Sequence, residues 1–148
     1  MSYKKLTILM LVTKRQYRGA EISAFNLSKS LVEKGHKVIW VGLYPFIGEN
    51  PLNLAGSINF DLPDSKFWLS HKKLKVLAKL YSKYTPDIVQ ANGSDTLRYA
   101  VLLKLLGMKP KIFYRNISII STWINTKPKY YLFRYLFSKT DQVVSVGE

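Results

Sequence analysis

The tetrapeptide Arg18-Gly19-Ala20-Glu21 joins an apolar run, Leu6 to Val12, to a stretch whose apolar residues repeat at helical spacing. A glycine at such a join lets the backbone turn tightly and lets another molecule come close to it. The N–H groups of a first helical turn have no intrahelical acceptor, and with the helix dipole they favour an anion. Glu21 is itself an anion that the dipole would stabilise. A plainer reading has Gly19 make the turn and Glu21 decorate the helix start, and local chemistry does not separate the two. The join is neither a G-x-G-x-x-G dinucleotide fingerprint nor a G-x-x-x-x-G-K-[ST] phosphate loop.

The remaining chemistry-bearing residues are few. There is no cysteine, which excludes disulfides and thiolate metal sites and makes a reducing cytoplasm the expected compartment. The two histidines, His36 and His71, are far apart and make no metal cluster. His36 is read as structural and His71 as solvated. Lysines and arginines number 23 against 9 acids, a net charge of +14. Such a field attracts nucleic acid, anionic lipid and phosphorylated molecules alike. From Lys66 to Lys83 there are six lysines and no acid, among them Lys72, Lys73, Lys75 and Lys79. From Lys127 to Lys139, again without an acid, Tyr130, Tyr131, Phe133, Arg134, Tyr135 and Phe137 stand together, with Trp123 just upstream.

These groups need elements to hold them. Leu6–Val12 reads as a strand covered on both faces. It is too short for a secretory core and no small-residue cleavage site follows it. Ala20, Ala24, Leu27 and Leu31 form a helical stripe that ends at Lys34-Gly35. Val38–Leu43 is a second buried strand. Tyr44–Pro63 reads as loop, with a short strand at Ser57–Leu62. Leu74, Leu77, Tyr81 and Tyr84 mark a helix, and Ile88–Asn92 a strand. Thr96–Leu106 is a buried helix closed by Gly107. Lys111–Asn116 is a strand, Pro128–Ser138 a helix, and Gln142–Val146 a last strand. Alternating strands and helices on apolar runs predict a doubly wound α/β domain with a mostly parallel sheet. No apolar run is long enough to cross a bilayer.

Ligands of such sheets sit beyond the carboxyl ends of the strands. Asn92 and Asp95 fall there, as does the Gly19 loop. Asp95 could hydrogen-bond an acceptor hydroxyl, but capping of the helix that starts at Thr96 is the favoured reading.

Arg18-Gly19-Ala20-Glu21, then Leu27, Leu31 and Glu33-Lys34-Gly35-His36-Lys37-Val38, resembles the "GGAE…L…L…GHEV" opening of GT-B glycosyltransferases of the group 1 family, family four. Pro86-Asp87-Ile88-Val89-Gln90-Ala91-Asn92-Gly93 is similar to its "PDIVHAHG", and Asp141-Gln142-Val143-Val144-Ser145-Val146-Gly147-Glu148 to its "ADxVVAVSE". The resemblance implies a Rossmann-like N-terminal domain over residues 1–148 that holds the acceptor. A C-terminal domain, absent from this chain, would hold the nucleotide-sugar donor. It implies retaining transfer without a metal or other cofactor, in polysaccharide or cell-envelope synthesis, to a glycan or lipid-linked acceptor. The chain alone is expected to be inactive.

By the same resemblance Gly19, with Arg18, Ala20 and Glu21, approaches the donor diphosphate and the reacting sugar. Arg18 replaces the family's first glycine, and Gln90 and Asn92 replace its histidines. Arg115-Asn116 falls where the family often has another histidine. An arginine there could bind a phosphate but cannot serve as a base near neutral pH. Asn92, Asp95, Arg115 and Asn116 are thus the candidate cleft residues.

Lys72, Lys73, Lys75, Lys79, Tyr130, Tyr131 and Arg134 are candidates to face an anionic membrane on its cytoplasmic side. The bland readings are a solvated helix face and a helix packed on the sheet. The alternative function is a stand-alone basic module for nucleic acid or phosphorylated ligands. No RRM, KH or helix-turn-helix pattern supports it, and no nucleic-acid partner is expected.

Overall fold

The computed structural model describes residues 2–67, 69–116 and 124–145. Six strands form one parallel sheet: β1 (Thr7–Val12), β2 (Lys37–Gly42), β3 (Ile58–Asp61), β4 (Ile88–Asn92), β5 (Lys111–Asn116) and β6 (Gln142–Ser145). Their order is β3-β2-β1-β4-β5-β6, so the direction of winding reverses between β1 and β4. Among the described residues four helices connect them: α1 (Gly19–Glu33), α2 (His71–Tyr84), α3 (Ser94–Leu105) and α4 (Lys127–Ser138). This is the predicted doubly wound α/β, Rossmann-like fold. Val146, Gly147, Glu148 and Trp123 lie outside the described residues.

The period of two along β1 explains the layering. Ile8, Met10 and Val12 face one side and meet Ala24 of α1, with Val38 and Trp40 of β2. Leu9 and Leu11 face the other side and meet Leu77 of α2, Leu97, Tyr99 and Leu103 of α3, and Phe133 and Leu136 of α4. Both faces of β1 are therefore covered, which is why it is apolar almost throughout.

Register is fixed by pairs such as Leu9↔Ile39 and Leu9↔Val89. Two aspartates fix strand starts as well. Asp87 accepts from the Thr7 N–H at 2.8 Å, and Asp141 from the Ile112 N–H at 2.7 Å. His36 is structural, as read from sequence: its Nδ1 accepts from the Leu6 N–H at 3.1 Å. α1 ends at Lys34, and Gly35 follows at φ +84°, a left-handed turn that glycine enters without a Cβ clash.

The segment between β2 and β3 is anchored despite its lack of period. Trp40 donates to the Leu52 carbonyl at 2.9 Å, and Leu52 and Leu54 are buried in the α1-side core. Arg15, in the loop after β1, donates to Asp61 through Nε at 2.7 Å and Nη2 at 3.0 Å, and also reaches Asn53. The Leu52 N–H then bonds back to the Arg15 carbonyl at 2.9 Å.

Candidate functional site

The carboxyl ends of β1, β4 and β5 bring three groups of predicted residues to one edge of the sheet. The loop after β1 carries Arg18 and Gly19, both exposed, into the first turn of α1. Arg18 is the N-cap and no side chain caps the helix; its first backbone bond runs from the Ile22 N–H to the Arg18 carbonyl at 2.8 Å. The N–H groups of Gly19, Ala20 and Glu21 thus precede the helical ladder, at the positive end of the dipole.

Gly19 does not need to be glycine for the chain's own sake. Its φ is not positive, and a Cβ built on it meets nothing within 4 Å. Gly93, at the equivalent turn before α3, is the contrast. It has φ +103° and ψ 161°, a conformation open almost only to glycine.

Glu21 sits in the first turn of α1 but is buried, with 6% exposure. Its Oε1 accepts from Gln16 Nε2 at 3.1 Å, closing the loop on the helix that follows it. Arg115, at the end of β5, reaches across to α1. Its Nη2 donates to Ser23 Oγ at 2.6 Å, one turn beyond Gly19, while its Nη1 is buried without a hydrogen-bond partner. Asn116 ends the same strand beside it. Arg115 also lines a groove of about 210 Å³ with Leu27, Gln90, Phe113, Tyr114 and Val144. The structure therefore joins the Gly19 loop to Arg115, two positions 96 residues apart by number (115 minus 19).

Three sequence expectations are corrected. Asn92 does not face a cleft: it is 4% exposed, and its Nδ2 donates to the Leu11 carbonyl at 2.9 Å and contacts Met10 Sδ at 3.1 Å. Gln90 in turn donates to Asn92 Oδ1 at 3.2 Å, so the pair ties β4 to β1. Asp95 does not cap α3. The cap is Gly93, Thr96 Oγ1 donates to the Gly93 carbonyl at 2.7 Å, and Asp95 pairs with Arg98 one turn on. Lys73 does not face outward with Lys72, Lys75 and Lys79. Spaced four residues from Leu77, it turns into the core, has no exposure, and sets its Nζ 3.4 Å from the centroid of the Tyr44 ring. Burial lowers its pKa, an effect opposed by Asp64 and Asp95. Burial, then Asp95 and Tyr99, raise that of Tyr44.

The aromatic segment divides by face. Phe133 is buried and Phe137 packs against Tyr114, whereas Tyr130, Tyr131, Arg134 and Tyr135 are exposed. Phe67 (74% exposed) and Leu69 stand out just before α2, a feature for which the sequence carries no periodic signal. Among the described residues no group of three His, Asp or Glu could hold a metal, and no helix is long and apolar enough to cross a membrane.

No curated protein matches the chain. Among solved structures, HepE from Anabaena, crystallised in complex with UDP and glucose, superposes with a TM-score of 0.70 at 14% identity. The match covers 93% of this chain and 37% of that one, so this chain spans little more than a third of the length of that protein. At this identity the likeness is one of fold. The family described as Glycosyltransferase Family 4 matches residues 17–148, from the Gly19 loop through the last strand, and the chain belongs to that family.

Proposed function

We propose that this chain is the N-terminal, acceptor-side part of a retaining glycosyltransferase. It moves a sugar from a nucleotide-sugar donor to a glycan or lipid-linked acceptor in polysaccharide or cell-envelope synthesis. The observation that carries the reading is Gly19: an uncapped helix start kept free of a side chain where neither sterics nor backbone conformation demands it. Family membership and the UDP and glucose held by HepE support a nucleotide sugar as the molecule that uses this space.

The chemistry follows from charge. As the glycosidic bond of the donor breaks, the departing nucleoside diphosphate gains negative charge. The N–H groups that open α1 are donors already in place for an anion there, and Arg115, held by Ser23 one turn on, adds a positive charge nearby. Glu21, fixed by Gln16, holds the loop in shape. No metal and no further cofactor is invoked. In this reading a second domain binds most of the donor, and the 148-residue chain alone does not turn over. Exposed Lys72, Lys75, Lys79, Tyr130, Tyr131 and Arg134 support peripheral docking on an anionic cytoplasmic membrane face.

The test is Gly19→Val in the full-length enzyme, assayed for transfer and for thermal unfolding. Transfer lost with unchanged unfolding upholds the reading. Loss of the fold itself returns Gly19 to a turn residue.

A further inference from the structure

Lys73 is a buried cation with no anion. Its Nζ carries three donors and has no hydrogen-bond partner, and its described close companion is the face of Tyr44. A ring face recovers part of the desolvation cost of an ammonium, not all of it. A methionine would fill comparable space without that cost. The charged groups around it are Asp64, Asp95 and, beyond them, Arg98. Asp64 and Asp95 act on Lys73 only through space; Asp95 is paired with Arg98.

Ser70 caps α2 by accepting from the Lys73 N–H at 3.4 Å, and the Ser70 N–H donates to the Tyr99 hydroxyl at 2.9 Å. The start of α2, at the carboxyl edge of the sheet beside Lys73, is thereby tied to α3, and the α2 dipole favours an anion there. Tyr44 lies two residues beyond β2 and is only half-buried. Its N–H is held by the Thr13 carbonyl at 2.9 Å, so displacing the ring would leave the backbone in place.

We propose that Lys73 binds a phosphate group, which takes the place of the Tyr44 ring over its ammonium. As an assignment of acceptor chemistry, a phosphorylated acceptor, this rests on the acceptor-side reading above; the phosphate site itself does not. Binding forms no covalent bond.

The test titrates the 148-residue chain with glucose 1-phosphate, inorganic phosphate, and neutral vesicles doped with phosphatidic acid. Lys73→Met is expected to bind about tenfold more weakly or worse, the loss of a charge-assisted hydrogen bond. Lys72→Met, an exposed neighbour with the same charge change, is expected to stay within about twofold. Tyr44→Ala is expected to bind more tightly. Equal weakening in the two lysine variants means diffuse attraction to a cationic protein and overturns the site, as does weaker binding by Tyr44→Ala or no binding by wild type. If Lys73→Met does not fold, NMR decides. The ε-methylene protons of Lys73 lose their ring-current shift at phosphate saturation if the site is real, and keep it if it is not. Preference for glucose 1-phosphate or for phosphatidic acid supports the site with a soluble or a lipid source; equal binding of all three supports it for the phosphate alone. None of these measurements involves a donor or turnover, so their failure leaves the Gly19 reading standing.

Discussion

Gly19 and Gly93 open two helices at the same edge of the sheet, yet they are glycine for different reasons. Gly93 is held at φ +103° by its own backbone. Gly93→Ala is expected to cost about 1–3 kcal/mol of unfolding free energy, read from denaturant melts. Gly19 has open space where its Cβ would be. Gly19→Ala is expected to unfold within about 0.5 kcal/mol of wild type. Equal losses in the two variants would remove the argument for a ligand at Gly19. The sequence announced the Gly19 join because a lone glycine between two periodic segments is a local signal. It did not announce that Glu21 is buried against Gln16 or that Asn92 bonds to Leu11, because those contacts depend on which loop folds over which strand. Lys73 departs from its sequence expectation for a related reason: six lysines from Lys66 to Lys83 with no acid among them look solvated until the helix phase turns one inward.

At the scale of elements, the period-two and period-3.6 patterns placed the described strands and helices within a residue or two, except that α2 begins three residues before Leu74 and β3 carried no period of its own. The segment between β2 and β3 was opaque because its order comes from long-range polar contacts. Arg15 and Asp61 lie 46 positions apart, and their side chains keep only 11% and 18% exposure. Asp61→Asn leaves the guanidinium without its carboxylate and is expected to cost about 3 kcal/mol, the low end for a buried pair. It should also loosen the loop that presents Gly19, seen as faster amide exchange at residues 13–18. Unchanged exchange there would separate the ion pair from the site. Asp141 gives an element its pH dependence. The Ile112 N–H bond lowers its pKa, burial opposes this, and Lys104 adds to the lowering. A depressed carboxylate contributes stability that is present above its unfolded pKa and lost as pH falls through the folded value. Asp141→Asn should therefore lower stability at pH 7 and flatten the acid limb below about pH 4, where the protonated wild type has already lost that contribution. A wild-type slope in the variant would count against the strand-start role.

For the whole molecule, the decisive quantity is where +14 of net charge is placed. α2 and α4 both flank α3 on one side of the sheet, and their outer faces carry Lys72, Lys75, Lys79, Tyr130, Tyr131 and Arg134. Both helices begin at the carboxyl edge, because each follows a parallel strand. A bilayer met there would lie beside the edge that carries Gly19 and Lys73, which suits an acceptor anchored in lipid. Each lysine near an anionic surface contributes about 1 kcal/mol. Replacing Lys72, Lys75 and Lys79 with glutamine should weaken vesicle partitioning by on the order of a hundredfold in sedimentation with anionic lipid. Raising the salt to about 0.5 M should weaken wild type strongly as well, because exposed charges are screened beyond a few ångströms. Replacing Tyr130 and Tyr131 with serine should weaken it further at high salt, where only apolar insertion remains. Duplex DNA supplies the opposing outcome. Binding to an oligonucleotide that exceeds vesicle binding at physiological salt, with the same lysines responsible, would assign this surface to nucleic acid and take the membrane out of the mechanism.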